Sequence, residues 1–210
     1  MKKIIYFIII TQLITSCNKH EKFENDVSTN TVQSSSKQLS NSEDFKVFVR
    51  NLEKLKSLAL LSAKKNSYFY NNDLNKSTFL YSLNRVSINN IDSIKEKLNS
   101  QFYKGEEMAS LLFNNFELSK KIKKEFPEIL NLESPKRSKE ISVAIEIVLN
   151  NYSNNLGKAP DGPKSKCQKA CENQYYISAG VCALLVETVW GAVVCYIGAC
   201  AGLDACLRGC

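Results

Sequence analysis

The stretch CQKACENQYYISAGVCALLVETVWGAVVCYIGACAGLDACLRGC, residues 167–210, holds seven of the eight cysteines in the chain. Cys167 with Cys210, Cys171 with Cys206, and Cys182 with Cys195 form three pairs that share one midpoint, between Thr188 and Val189. A chain folded back on itself there brings every pair together, which predicts two helices stapled by disulfides. The two C-x-x-x-C motifs share a midpoint automatically, so the independent support is the pair Cys182 and Cys195. On a helix turning about 100° per residue, Cys167, Cys171 and Cys182 return nearly to one line, as do Cys195, Cys206 and Cys210. Along that seam Tyr175 is expected opposite Gly202, Ser178 opposite Ala199, and Ala179 opposite Gly198. Small residues there admit the close approach of a disulfide, whose Cα atoms lie ~5.5 Å apart. The turn is expected around Glu187 to Gly191. Cys200, about 140° from the seam, is the odd thiol: free, bonded to another molecule, or exchanged with Cys195. Such a staple belongs to an oxidising compartment.

The start of the chain points to the same compartment. Lys2 and Lys3 precede an apolar run from Ile4 to Ile14, interrupted by Thr11 and Gln12. It is shorter than the ~20 residues of a spanning helix and fits a signal-peptide core, residues 1–16. Ile14-Thr15-Ser16-Cys17 resembles the lipobox of bacterial lipoproteins. That resemblance implies that Cys17 is lipidated, so its sulfur forms a thioether and no disulfide, and that several acyl chains, palmitate among them, anchor the mature protein to a membrane. Asn18, where an aspartate would suggest inner-membrane retention, implies the outer membrane of a Gram-negative envelope.

Between anchor and staple the reading is a small helical domain, so the expected fold class is all-α. Residues 17–40, rich in Asn, Ser, Thr and Lys, are expected to form a flexible tether. The helical domain, 41–155, opens with Ser40 and Glu43 as a capping box, followed by Phe45, Phe48, Val49, Leu52, Leu55 and Ala59 at helical spacing. A second helix holds Leu74, Phe79, Leu80 and Leu83, and a third runs from about Ile88 to Phe102. Gly105 is expected to end that segment, before a fourth helix from Met108 to near Pro127. Ser134-Pro135 starts a fifth, with Ile141, Ala144, Ile145, Val148, Leu149 and Tyr152 along one face. Gly157, Pro160, Gly162 and Pro163 mark residues 156–166 as a linker, either an uncut hinge or a target for proteolysis that would free the tail.

Several function classes are excluded by what the chain carries. Its formal charge of +7 is spread without a basic stripe, so nucleic acid is not an expected partner. The run Lys120, Lys121, Lys123 and Lys124 reads as a solvated helix face, or in a sharper reading as a contact for anionic lipid. The single histidine, His20, lies in the tether and cannot be held in a triad. Glu106 and Glu107 read as helix N-terminal charges, and Glu187 as a turn residue. There is no phosphate loop and no C-x-x-C at a helix start. Zinc or a cluster on the cysteines is not expected, because the staple already accounts for their spacing. The expectation is a non-enzyme with no catalytic residue, cofactor or metal.

The tail, with Val181-Cys182-Ala183-Leu184-Leu185 and Ala205-Cys206-Leu207-Arg208-Gly209-Cys210, resembles the disulfide-rich bacteriocins of the halocin and fulvocin type. Its paired C-x-x-x-C motifs are similar to those of the antimicrobial hairpinins. The resemblance implies a hairpin active on a target membrane or receptor. Leu184, Leu185, Trp190 and Val193 are the expected membrane contacts, with Trp190 suited to an interface. An alternative is a structural or interaction lipoprotein whose hairpin docks an envelope protein. A further reading takes Ile177 to Leu203, charged only at Glu187, as one transmembrane helix.

Overall fold

A computed structural model describes residues 29–65, 67–72, 75–79, 91–155 and 165–210. Cys17, His20, the expected signal peptide (1–16) and most of the expected linker lie outside them. Among the described residues the fold is all-α. Helix α1 spans Thr29–Asn41, α2 Glu43–Lys64, α3 Tyr68–Asn71, α4 Ile91–Gln101, α5 Gly105–Glu125, α6 Pro127–Leu130, α7 Ser134–Asn155, α8 Lys166–Leu185 and α9 Val189–Arg208.

Over residues 29–40, helix α1 corrects the expected tether. Its sequence is too polar to predict a helix, but Leu39 is buried in the common core and the Ser36 hydroxyl donates to Glu140 of α7. Tertiary packing therefore outweighs weak local propensity. The first core-forming helix, α2, then starts after Ser42 rather than from a capping box at Ser40, and the Ser42 hydroxyl donates to Glu125 instead of capping. Phe45, Phe48, Val49, Leu52, Leu55 and Ala59 are all buried as their spacing requires. Asn51 donates to Asn115, which donates to the Phe48 carbonyl at 3.2 Å, so the polar groups buried between α2 and α5 are satisfied.

Of the expected second helix, residues 75–79 are described as helical and Phe79 is buried, while Leu74, Leu80 and Leu83 lie outside the described residues. Phe79 packs with Phe69 of α3 and with Phe102, whose ring lies 4.6 Å from that of Phe69. The boundary between α4 and α5 also differs from expectation. Lys104, not Gly105, takes the left-handed conformation, with φ 59°, and Gly105 opens α5. The glycine is required by close approach: a Cβ there would sit 2.1 Å from the Leu98 carbonyl oxygen. Pro127 begins α6, where its missing N–H costs nothing. In α7, Ile141, Ala144, Ile145 and Val148 face the core as predicted.

Candidate functional site

The hairpin forms with the predicted pairing. Cys167–Cys210, Cys171–Cys206 and Cys182–Cys195 are bonded, with Cα separations of 5.7, 5.7 and 5.6 Å. Ser165 caps α8 in a true capping box with Gln168, and Thr188 caps α9 by accepting from the Gly191 N–H. Val186, Glu187 and Thr188 make the turn. Cys200 is free and buried, which resolves its three alternatives in favour of the first.

The reason expected for small residues along the seam needs correction. Gly198 and Gly202 are exposed, and a Cβ on either would find nothing within 4 Å, so the lack of a side chain there is not what admits the close approach. The bonds themselves hold the helices together: Cys167–Cys210 is exposed at the open end, whereas Cys171 and Cys195, one in each of the other two bonds, are buried. A close approach against a glycine occurs elsewhere, at Gly180, where a Cβ would lie 2.5 Å from Ile145 Cδ1 of α7 and 3.2 Å from Leu52 Cδ1 of α2.

Gly180 marks the face that matters, because the hairpin is seated on the helical body rather than appended to it. One continuous core includes Leu52, Leu55 and Ile145 together with Tyr175, Leu184, Val193, Tyr196, Ile197 and Leu203. Tyr175 and Tyr196 are among the largest fully buried side chains. The Tyr196 hydroxyl donates to the Leu55 carbonyl at 2.7 Å, and the Tyr175 hydroxyl to the Leu52 carbonyl at 3.4 Å. Leu184 and Val193, expected to touch a membrane, are 1% and 0% exposed in this fold. Both fill the core shared with α2, α5 and α7, which corrects that expectation. Leu185 and Trp190 remain half-buried at the turn end.

Two ion pairs flank this apolar seat. Lys56 of α2, 4% exposed, donates to Glu172 of α8 at 2.9 Å, pairs with Glu53 at 3.1 Å, and lies over the Tyr176 ring. Lys76 pairs with Asp204 of α9, which Arg208 also reaches at 3.2 Å. At the turn, Lys123 donates to the Val186 carbonyl at 2.6 Å and to Glu187 at 3.2 Å. One member of the lysine run is thus tied to the hairpin, while Lys120, Lys121 and Lys124 are exposed. Sequence reading missed these clamps. The available signal was a lysine at position 56, inside the apolar stripe between Leu52, Leu55 and Ala59, where an unpaired cation would be costly.

Burial pushes the Cys200 thiol up to about 12, and burial likewise raises Tyr70, Tyr175 and Tyr196 above the usual phenol range. Cys200 is therefore a packed neutral thiol with no nucleophilic character at neutral pH. Glu106 and Glu107 occupy the first turn of α5, where the helix dipole favours them.

No family model, curated protein or solved structure matches the chain. Its chemistry must be read from its own geometry. Among the described residues, α9 is long and apolar enough to cross a membrane, with a mean hydropathy of 1.6, yet Val193, Tyr196, Ile197 and Leu203 on it lie in the core shared with the body.

Proposed function

We propose that this protein is a non-catalytic lipoprotein of the cell envelope, anchored through Cys17 in an outer membrane, whose stapled hairpin is a bacteriocin-like unit held in sheathed form. The helical body covers the apolar face, and separating the two exposes a surface suited to a target membrane or receptor. One observation carries this reading: α9 combines membrane-compatible length and hydropathy with residues buried against the body, and the body grips the hairpin through lysine–carboxylate pairs, Lys56 to Glu172 of α8 and Lys76 to Asp204 of α9. Extended apolar surface of this kind, once uncovered, marks a membrane or protein contact. The disulfides would keep the hairpin folded after separation, because all three lie within it.

The burial of Leu184 and Val193 also favours a second reading, in which hairpin and body stay together and the exposed turn docks an envelope partner. Vesicles of mixed zwitterionic and anionic lipid distinguish the two. The oxidised chain is compared before and after cleavage at a protease site inserted in the linker. Sheathing predicts little dye release from the intact chain, strong release after the cut, and a blue shift of Trp190 emission. Equal inactivity of cut and intact protein, with the fragments verified as separated, leaves docking as the function.

A further inference from the structure

At the open end of the hairpin, two disulfides lie side by side. The sulfurs of Cys167, Cys171 and Cys210 are all within 4.8 Å of one another, and Cys206 is bonded to Cys171. Across the two bonds, Cys171 Sγ and Cys210 Sγ are only 3.5 Å apart. Four sulfurs around a tetrahedral zinc at about 2.3 Å would be separated by about 3.8 Å from one another. Three of the four sulfurs are thus gathered, and Cys206, one turn before Cys210 with its Cα 5.7 Å from that of Cys171, can join them by side-chain rotation once the two bonds are open. We infer that the chain with its outer two disulfides reduced binds one Zn²⁺ through Cys167, Cys171, Cys206 and Cys210.

The surroundings suit the charge of such a centre. Four thiolates around Zn²⁺ carry a net charge of −2, and Lys166 and Lys169 are exposed on the same first turns of α8, with Arg208 at the end of α9. Cys167 lies in the first turn of α8, where the helix dipole favours a thiolate. Cys167, Cys206 and Cys210 are exposed, so both a reductant and the cation have access. The inner cysteines offer no equivalent: Cys182 and Cys195 form one isolated pair, and Cys200 is buried among tyrosines on the other face.

The chemistry balances simply. Each disulfide takes two electrons and two protons from a dithiol, which closes to its own disulfide, and the four thiols produced release four protons as Zn²⁺ binds. A chain not yet oxidised begins in that state. The metal and the two outer bonds are thus alternative closures of the same hairpin end, and this inference does not rest on membrane activity.

Full-length protein in a Cys17→Ser background, reduced with a water-soluble phosphine, is titrated with Co²⁺ and then Zn²⁺. The expected result is one Co²⁺ per chain with the visible bands of a tetrahedral thiolate complex, displaced by Zn²⁺ with affinity tighter than about 1 µM. Cys167→Ser or Cys206→Ser should weaken binding at least tenfold, whereas the triple change Cys182→Ser, Cys195→Ser, Cys200→Ser should leave it intact. If reduction melts the hairpin, Zn²⁺ should restore helical circular dichroism and raise the unfolding temperature. Absence of a tetrahedral spectrum, or binding indifferent to Cys167 and Cys206, or binding lost with the inner cysteines, overturns the inference.

Discussion

Replacing Glu172 with Gln tests how the body grips the hairpin. The change preserves size and hydrogen-bonding reach but removes one of the two carboxylates that face Lys56. Lys56 is only 4% exposed, so solvent cannot take over the lost charge. Breaking a buried pair by removing one partner costs about 3–5 kcal/mol when nothing replaces it. Here Glu53 remains at 3.1 Å and the Tyr176 ring at 4.8 Å from the ammonium, and both reduce the loss. We therefore expect a destabilisation of about 2 kcal/mol, seen as a fall in melting temperature of about 4–8 °C for a protein of this size. The double variant Lys56→Met, Glu172→Gln should recover part of that loss, because the stranded buried cation is gone. Thermal and urea unfolding of the oxidised chain, arranged as a double-mutant cycle, measure both quantities. A loss below about 0.5 kcal/mol for Glu172→Gln, or strict additivity in the cycle, would refute the clamp.

Other perturbations have equally definite outcomes. Gly180→Val should destabilise by about 1–3 kcal/mol by forcing α8 off Ile145 and Leu52, whereas Gly198→Ala, with open space around it, should stabilise by up to about 1 kcal/mol; urea midpoints give both signs. Removing Cys167–Cys210 alone should cost about 2.5 kcal/mol rather than the 4 kcal/mol or so of its full loop, because Cys171–Cys206 already closes most of that loop; a loss above 4 kcal/mol would show that the bond does more than restrict the unfolded chain. Burial keeps Cys200 neutral in the fold up to about pH 12, whereas an exposed thiol in the unfolded chain ionises near pH 9. Its contribution is thus complete below pH 9 and declines as pH rises toward 12, with the three buried tyrosines acting in the same direction. Urea midpoints should fall between pH 8 and pH 10.5, less steeply in Cys200→Ala, and an unchanged midpoint in the native sequence contradicts the assignment.

The parts of this fold legible in the sequence are those fixed by covalent symmetry or strong periodicity. The common midpoint of Cys182 and Cys195 with the C-x-x-x-C pairs specified the hairpin, and the stripes of α2 and α7 specified their buried faces. Helix α1 was illegible because its stability comes from Leu39 and Ser36 meeting partners on other helices, information absent from a local window. The start of α5 at Gly105, where the preceding segment was expected to end, has a similar origin, since the Leu98 carbonyl excludes a side chain at position 105. The seat of the hairpin was hidden for a different reason. An apolar helix face has the same composition whether it waits for a lipid or for a protein core, and what tells them apart is tertiary: the hydroxyls of Tyr175 and Tyr196 reaching α2 carbonyls, the close approach at Gly180, and the Lys56–Glu172 and Lys76–Asp204 pairs.

Residue-resolved amide hydrogen exchange on the intact oxidised chain tests the sheathing of the hairpin most directly. If hairpin and body share one core, amides of Tyr175 to Leu184 and of Val193 to Leu203 should exchange with the same opening free energy as those of Phe48 to Ala59, and Val193→Asp should lower all three together. Protection in α2 that is indifferent to Val193→Asp, with hairpin amides exchanging on their own schedule, would contradict a common core and leave the hairpin an independent appendage.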